Sequence, residues 1–236
     1  MPDTDVIRWG EERVRTGPWR GDRHVAYVSP LPDAPVPSAA FVRRCCDLLA
    51  VRGYTRVVTA ALSEPEQRGF LAAGFTVEEQ LHLLAHDLEG LPPPTDAEQF
   101  LRRAKPLDRP EVLRVDEAAF PQFWRLDLSG LDEALRATPH ARFRVAAVPE
   151  VVGYAVTGRA ARRGFLQRLA VQPDRQRAGL GRALVLDGLR WLRRWRAERA
   201  VVNTQLENDA ALALYESLGF RREPSGLSVL GVGLTA

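Results

Sequence analysis

Lysine, cysteine and concentrated positive charge are all scarce in this chain of 236 residues. Lys105 is the only lysine among 33 basic residues, and 30 acidic residues are interspersed with the arginines, which leaves a net charge of +3. Proteins that bind nucleic acid through its phosphates gather their basic residues into a patch or tract. The charge pattern therefore argues against nucleic acid as the partner.

The two cysteines, Cys45 and Cys46, are adjacent in the sequence. Neighbouring residues of a helix point about 100° apart, so this pair is poorly placed to form a disulfide. No CxxC pair is present, and the histidines show no metal-ligand spacing. We expect reduced core thiols, no metal site and no functional role for the four histidines (His24, His82, His86, His140).

No apolar run approaches the roughly 18–20 residues of a membrane-spanning helix, although 45% of the residues are hydrophobic. Residues 1–5 are acidic and lack the pattern of a signal peptide. We therefore expect a cytoplasmic protein with a substantial core and no membrane partner. The sequence leaves the oligomeric state open, a homodimer included.

Three consecutive prolines at 92–94 interrupt the chain, because proline continues neither a helix nor a central strand. We predict a linker at 91–95 between an N-terminal region, 1–90, and a larger domain, 96–236. The hydrophobic patterns predict an α/β protein. In the first region they predict strands at 24–31, 55–62 and 75–88 and helices at 38–52 and 66–73. In the second they predict strands at 99–104, 141–148, 151–158, 164–171, 200–206 and 227–234 and helices at 109–120, 131–137, 181–198 and 210–218.

The two regions share an internal repeat. A strand, a polar break and a helix lead to Gly74-Phe75 in the first region and to Gly219-Phe220 in the second. Phe70 stands four residues before its glycine, as Tyr215 does before Gly219. The first copy has Asp33-Ala34-Pro35-Val36-Pro37 where the second has a glycine-rich loop, and prolines lack N–H groups. We therefore interpret residues 1–90 as a degenerate half domain without a ligand loop.

The glycine-rich loop follows a predicted strand ending in Leu169-Ala170-Val171 and reads Gln176-Arg177-Ala178-Gly179-Leu180-Gly181, with Arg182 next. Free N–H groups at the start of a helix bind phosphate, and glycine allows both a sharp turn and a close approach. The chain lacks the Gly-Lys-Ser/Thr of a P-loop, and Leu184 occupies the small-residue position of the dinucleotide fingerprint. A simple helix-starting turn is the structural alternative.

A second group of residues lies beyond the loop, at a strand-to-helix junction. Asn208, Ala211 and Tyr215 fall along one side of the last predicted helix. A phenol, with an ordinary pKa near 10, can protonate a departing thiolate. The alternative is that Asn208 only caps the helix and Tyr215 is a core aromatic residue.

Together these residues resemble the GNAT superfamily of acyl-CoA-dependent N-acyltransferases over residues 96–236, through its Q/R-x-x-G-x-G/A loop and its N-x-x-A-x-x-x-Y-x-x-x-G-F segment. The resemblance implies a mixed, twisted sheet flanked by helices and acetyl-CoA as cosubstrate. It also implies roles for the matching residues: the strand end (Leu169, Ala170, Val171) would bind the pantetheine arm, the loop from Gln176 to Arg182 the pyrophosphate, and Asn208 and Ala211 would lie beside the cofactor. Tyr215 would be the general acid. The tandem arrangement is also similar to that of mycothiol synthase.

The general base is harder to assign. Related N-terminal acetyltransferases often carry a glutamate five residues before the Asn, where this chain has Asn203. An amide takes up no proton but can position a water, which favours an amine of low pKa, such as an α-amine near 8, over lysine near 10.4. Other carboxylates (Asp127, Glu150, Glu207) could not be placed from the sequence.

We therefore predict an enzyme that transfers acetyl from acetyl-CoA directly to a primary amine of unknown identity, on a small molecule or a peptide N-terminus. A non-catalytic acyl-CoA-binding sensor or scaffold is the alternative, and the missing carboxylate at Asn203 favours it. The aromatic segment 120–124 either lines the acceptor cleft or packs helices onto the sheet.

Overall fold

The computed structural model describes residues 5–234, so only Asp5 of the acidic N-terminal segment lies within it. Contacts divide the chain into two compact units. The first contains the residues through His82, Gln205–Glu207 and the residues from Pro224 onward. The second contains Leu83–Thr204 and Asn208–Glu223. Within the described range, none of the helices has the length and apolar character needed to cross a bilayer.

The first unit is a sheet with two helices. Its elements are β1 (Asp5–Trp9), β2 (Glu12–Trp19), β3 (Asp22–Pro30), α1 (Ala39–Val51), β4 (Arg56–Thr59), α2 (Glu64–Ala72), the first part of β5 (Thr76–His86) and β12 (Leu227–Gly233). The strand order is β1-β2-β3-β4-β12-β5. The β3–β4 pair is parallel and the other pairs are antiparallel. The strands β1 and β2 were not predicted, because no strand was expected before residue 24.

The second unit contains most of the remaining elements. They are β6 (Leu101–Arg103), α3 (Arg109–Ala119), α4 (Leu128–Arg136), β7 (His140–Ala147), β8 (Val151–Ala160), β9 (Arg163–Val171), α5 (Leu180–Arg194), β10 (Arg199–Gln205), α6 (Asp209–Ser217) and β11 (Arg221–Arg222). The strand order is β6-β7-β8-β9-β10. Only the β9–β10 pair is parallel among these neighbours. The α/β class predicted from the sequence is confirmed.

Two predicted elements are shorter in the structure. The strand predicted at 99–104 is reduced to Leu101–Arg103, because Asp96–Phe100 forms a 3-10 helix whose start is held by a hydrogen bond from Thr95 N–H to Glu98 Oε1 (3.1 Å). The helix predicted at 181–198 ends at Arg194 because the chain turns at Arg196, where φ is +56°.

The division into units differs from the predicted domains, 1–90 and 96–236 with a linker at 91–95. The boundary falls within β5, between His82 and Leu83. The last strand, β12, belongs to the first unit because it pairs with β4 and β5. Whether the predicted segments are independent folding domains stays a prediction.

The internal repeat is visible at the end of its two helices. Gly74 and Gly219 both adopt positive φ, +99° and +93°. After each glycine, a phenylalanine N–H donates to the carbonyl five residues earlier: Phe75 to Phe70 and Phe220 to Tyr215, both at 3.1 Å. A residue with a side chain rarely adopts this backbone conformation, so the repeated Gly-Phe reflects a shared helix ending.

Helix packing gives the second unit two separate apolar layers. On one face of the sheet, α5 and α6 pack over a cluster that includes Leu166, Leu189, Val202 and Tyr215. A second cluster joins α3 and α4 to β7, β8 and β9. Side chains of successive strand residues point to opposite faces, so neighbouring residues of β9 and β10 serve different layers.

Candidate active site

The sheet of the second unit opens between β9 and β10. These parallel strands pair only at their beginnings, from Arg199 opposite Arg163 to Val201 opposite Phe165. Both strands continue beyond this point, β9 to Val171 and β10 to Gln205, without pairing with each other. The second half of β9 therefore has a backbone edge that faces a gap rather than a neighbouring strand.

The backbone groups that face this gap can be assigned from the pairing on the other side of β9. Gln172 N–H donates to the carbonyl of Val152 on β8 (2.8 Å). Because backbone N–H and C=O groups alternate between the two edges of a strand, those of Leu169 and Val171 point toward the gap. Of the three residues predicted to bind the pantetheine arm, Leu169 and Val171 have backbone groups that point toward the gap, whereas those of Ala170 point toward β8.

The glycine-rich loop joins β9 to α5. Arg177 (φ +60°) and Gly179 (φ +80°) both adopt left-handed backbone conformations, and Gly179 immediately precedes α5. The first backbone bond of this helix runs from Ala183 N–H to Gly179 C=O (2.9 Å). Within residues 5–234, the N–H groups of Arg177, Ala178 and Gly179 donate to no other group. Together with the free N–H groups of the first turn, they form a row of donors suited to an anion.

Two side chains, those of Gln176 and Arg182, hold this loop in position and add positive charge to it. Gln176 Nε2 donates to the carbonyl of Val171 (3.3 Å), which ties the loop to the end of β9. Arg182 reaches from the first turn of α5 to Ser217 Oγ on α6 (3.3 Å). Gln176 thus has a structural contact where a cofactor contact was predicted, and Arg182 adds positive charge beside the row of donors.

The start of α6 carries the predicted Asn208 and Ala211. Asn208 is the N-cap of α6, and its Oδ1 accepts the N–H of Ala211 at 3.1 Å. The capping alternative for Asn208 is therefore correct for its side-chain oxygen, whereas its amide N–H groups donate to no group within residues 5–234. Leu214, one turn after Ala211, lies 3.4 Å from where a Cβ on Gly181 would be, so α6 and the loop are close together.

Tyr215 is a buried residue of α6, with 5% of its surface exposed. Its ring lies 5.5 Å from that of Phe220 and packs in the α5–α6 layer. Burial raises the pKa of Tyr215 above its ordinary value, while the charge of Arg168 acts in the opposite direction. The phenol therefore keeps its proton at neutral pH, which both a core residue and a proton donor require.

Asn203 lies on β10 beyond the last pair with β9, and it is exposed. Its neighbours Val202 and Thr204 are buried, and Val202 belongs to the α5–α6 layer. Asn203 therefore points to the opposite face of the sheet, toward the α3–α4 side. Asp127 caps α4 by accepting Gly130 N–H (2.7 Å), and Glu150 and Glu207 are exposed. Within residues 5–234, neither Asp127 nor Glu150 forms a hydrogen bond with Asn203.

A buried ion pair that the sequence analysis missed lies next to the gap. Arg168, directly before Leu169, donates from Nε and Nη2 to the carboxylate of Asp116 on α3 at 2.7 and 2.8 Å. Asp116 is 0% exposed and also accepts the hydroxyl of Tyr154 (2.5 Å) and the N–H of Leu126 (2.6 Å). Four donors therefore converge on one carboxylate.

Arg168 also organises the chain between α3 and α4. Its Nη2 donates to the carbonyl of Trp124 (2.7 Å), and its guanidinium carbon lies 3.5 Å from the ring centre of Phe120. Phe123 and Trp124 contact each other edge to face, 5.1 Å between ring centres. The aromatic segment thus packs against Arg168 at the sheet, which supports the packing interpretation for Phe120. An aspartate on the apolar face of α3, beside Val112 and Val115, was the sequence pattern that could have revealed this pair.

Comparison with known proteins agrees with this geometry. The Acetyltransferase (GNAT) family model matches residues 109–220. Mycothiol acetyltransferase from Amycolatopsis mediterranei (strain U-32) is 30% identical over 210 residues, covering 72% of this chain and 68% of the relative. The ribosomal protein bS18-alanine N-acetyltransferase of Escherichia coli (strain K12) is 29% identical over 113 residues, covering 48% of this chain and 74% of the relative. Three further mycothiol acetyltransferases are matched over only about a fifth of their length.

The fold is also that of a solved tandem protein. The tandem GNAT protein from the clavulanic acid biosynthesis pathway superposes with a TM-score of 0.66 at 15% identity, covering 98% of this chain and 82% of that one. The open sheet, the glycine loop and these matches define an acyltransferase fold. The chain belongs to the GNAT family of acetyltransferases, and the family, fold and tandem layout predicted from the sequence are confirmed.

Proposed function

We propose that the second unit transfers an acetyl group from acetyl-CoA directly to a primary amine. The observation that carries the proposal is the early end of the β9–β10 pairing beside the loop at Gly179. The gap presents the backbone of Leu169 and Val171, and the loop presents a row of N–H donors at its end. A ligand with an extended amide-bearing arm and a pyrophosphate complements both surfaces.

In this proposal the loop from Arg177 to Arg182 holds the pyrophosphate of acetyl-CoA, and Asn208 and Ala211 lie beside the arm. The nitrogen of the acceptor attacks the thioester carbonyl carbon, and a backbone N–H of β9 stabilises the oxyanion that forms. The C–S bond then breaks with its electron pair on sulfur. Tyr215 gives its proton to that sulfur, and a water held by Asn203 takes the proton that the amine loses.

The proposed acceptor is an amine of low pKa, such as an α-amine. No carboxylate forms a hydrogen bond with Asn203 in the described residues, and Asp116 accepts hydrogen bonds from Arg168, Tyr154 and Leu126. An α-amine with a pKa near 8 is partly neutral at cellular pH, whereas a lysine amine near 10.4 is almost wholly charged. One relative is by its name an alanine N-acetyltransferase, which supports an α-amine acceptor.

The test is release of the CoA thiol from acetyl-CoA across a panel of amines. The panel contains peptides with a free α-amine, peptides whose only amine is a lysine side chain, polyamines and amino sugars. The proposal expects release with α-amines and slower release with lysine amines at neutral pH. If acetyl-CoA binds but no amine gives release, the chain is a sensor or scaffold instead. The cytoplasmic location expected from the sequence belongs to the same proposal.

A further inference from the structure

A cationic cavity of about 570 Å³ lies in the second unit, away from the loop. Its wall includes five basic side chains: Arg103, Lys105, Arg109, Arg142 and Arg144. Trp191 of α5 contributes to the same wall. Trp191 follows Leu180 by eleven positions, which at 1.5 Å per residue places it roughly 16 Å along α5 from the loop. This cavity is therefore a different place from the proposed acetyl-CoA groove.

The positive charge of the cavity is only partly neutralised. Asp187 pairs with Arg142 through contacts of 2.6 and 2.8 Å and lies 3.4 Å from Arg144 Nε. A second carboxylate, that of Asp132, pairs with Arg109 at 2.8 Å. In the described part of the chain, Asp187 and Asp132 are the two carboxylates that pair with these five basic side chains. Two negative charges against five positive charges leave three positive charges at the cavity wall.

Arg103 and Lys105 are exposed, and neither side chain forms an ion pair within residues 5–234. Lys105, the only lysine of the chain, lines the cavity, and the acidic group that interacts with it electrostatically, Asp108, is already paired with Arg102 at 2.6 Å. An ammonium ion is a compact point charge, and a guanidinium presents a planar set of donors. Together they provide the donor types that bind phosphate and carboxylate groups.

Arg144 has a donor with no hydrogen-bond partner. Its side chain is 20% exposed, and its Nη2 donates to the carbonyl of Leu101 at 3.2 Å. Its Nε is buried and makes no hydrogen bond in the described structure, despite the nearby Asp187. Burial lowers the pKa of Arg144 below its ordinary value. A buried guanidinium donor without an acceptor is unfavourable, and the exposed part of the same guanidinium adds positive charge to the cavity wall.

The backbone of β7 adds further polar groups to the wall. The β6–β7 pairing runs from Leu101 to Arg103, and just beyond it Ala104 N–H donates to the carbonyl of Phe143 (3.1 Å). The groups of Ala141, two residues before Phe143, point to the same edge, where β6 has already ended. Ala141 lines the cavity, so its N–H and C=O are placed at an unpaired edge there.

We infer that this cavity binds a small polyanion that carries two or more closely spaced phosphate or carboxylate groups. The volume lies within the range of about 300–1,000 Å³ typical of small-molecule sites. Five basic side chains with only two paired carboxylates, and an open strand edge, line it. The inference does not depend on acetyl transfer in the groove.

The test is calorimetric titration of the full chain, saturated with CoA to fill the proposed groove, with inorganic pyrophosphate and separately with citrate. The informative variant is Arg103→Gln/Lys105→Gln. The matched control is Arg114→Gln/Arg162→Gln, which removes the same charge from side chains of the second unit that are 67% and 70% exposed and outside the cavity wall. All four side chains are on the surface, and unchanged melting temperatures would show that both variants fold.

The inference expects binding of pyrophosphate, citrate or both by the unsubstituted protein, and a Kd raised about tenfold or more by Arg103→Gln/Lys105→Gln, in line with the strength of hydrogen bonds to charged groups. The control variant should bind within about twofold of the unsubstituted protein, since exposed charges at a distance are screened. An equal rise of Kd in both variants would show that only the net charge of the protein matters, and it would overturn the inference. A parallel titration uses poly-glutamate. If poly-glutamate binds and neither pyrophosphate nor citrate does, the inference is overturned as well.

Discussion

Tyr215 and Phe70 hold the same place in two copies of one motif. The backbone carbonyl of each accepts the N–H of the phenylalanine five residues later, in both cases at 3.1 Å. The ring of each packs against that phenylalanine, with centres 5.5 Å apart for Tyr215 and 5.3 Å for Phe70. An aromatic ring alone therefore meets the packing need of this position, and the hydroxyl of Tyr215 is not required for it.

The first prediction concerns that hydroxyl. Tyr215→Phe gives the second copy the side chain of the first and removes only the proposed proton donor. We expect kcat for acetyl transfer to fall by about 10²–10⁴-fold, the usual contribution of general acid–base catalysis. The affinity for acetyl-CoA should change little, because the backbone of β9 and of the loop is untouched. Thiol-release kinetics and calorimetry with CoA provide the two measurements.

Tyr54→Phe is the matched control, since it removes a hydroxyl from a partly buried tyrosine of the first unit. Its kcat should equal that of the unsubstituted protein. A Tyr215→Phe enzyme with unchanged kcat would show that Tyr215 is only a core aromatic residue.

The second prediction concerns the turn before α5. Gly179 has φ +80°, and a Cβ added there would meet only Ala97 Cβ, at 3.6 Å, so alanine fits sterically but not conformationally. A left-handed conformation costs a non-glycine residue about 1–2 kcal/mol. Gly179→Ala should lower the free energy of unfolding by about that amount and also weaken acetyl-CoA binding, because the row of N–H donors shifts.

Gly53→Ala separates these two effects. Gly53 has φ +92°, with nothing within 4 Å of where a Cβ would be, and it ends α1 in the first unit. Urea denaturation should show a similar loss of stability for both variants, whereas calorimetry should show weaker acetyl-CoA binding for Gly179→Ala alone. Normal acetyl-CoA affinity in Gly179→Ala would contradict the assignment of the loop.

The third prediction concerns the buried pair of Asp116 and Arg168. Asp116→Ala leaves the guanidinium of Arg168, which is 10% exposed, without its counter-ion. Removing one partner of a buried ion pair typically costs about 3–5 kcal/mol, so urea denaturation should show a loss of that order. Because Asp116 also holds Leu126 N–H, KM for the amine should rise more than KM for acetyl-CoA.

Asp33→Ala is the control for Asp116→Ala. Asp33 pairs with Arg13 at 3.2 Å, but its side chain is 74% exposed, so its loss should cost less than about 1 kcal/mol. Equal destabilisation by the two variants would mean that the Asp116 network contributes no more than a surface pair.

The fourth prediction concerns pH and the two thiols. Burial raises the pKa of Cys45 from 9.0 to about 12 and that of Cys46 from 9.0 to about 11. Below pH 9 both thiols are protonated in the folded and unfolded chain and contribute no pH dependence. Above it the unfolded chain loses these protons first, so the unfolded state binds fewer protons and the free energy of unfolding falls as pH rises.

For the buried Cys45 the limiting slope is about 1.4 kcal/mol per pH unit. Urea denaturation at pH 8, 9 and 10 should therefore show a steeper decline in the unsubstituted protein than in Cys45→Ala. Identical slopes would mean that the thiol titrates alike in both states. The same burial should make Cys45 slow to react with a thiol reagent until the chain is unfolded.

Much of the second unit could be predicted because its patterns are local. The strand ending at Val171, the loop with Gly179 and the helix ending at Gly219 each have backbone requirements that few residue types meet. These requirements predict a turn with free N–H groups between β9 and α5 without knowledge of distant contacts. The roles of Tyr215 and Asn203 in catalysis stay predictions, because local patterns do not show what a side chain faces.

The remaining features depend on contacts between residues that are distant in the sequence. Asp116 and Arg168 are 52 positions apart, and only folding shows that an acidic residue of α3 neutralises an arginine of β9. The strand β2 was missed because Gly17 and Pro18 are typical of turns, although Val14 and Thr16 alternate inward within it. The location of β12 in the first unit depends on pairing with β4, which no local pattern specifies.

That location has a consequence for biosynthesis. Leu230 of β12 donates to Thr59 of β4 across 171 positions, so the sheet of the first unit stays unfinished until the ribosome has passed residue 233. Until then the facing edges of β4 and β5 lack their partner, and unpaired strand edges invite aggregation. A chain whose translation stops before β12 would expose the unpaired edges of β4 and β5. Such a chain would be prone to aggregate even though most of its first unit has already been made.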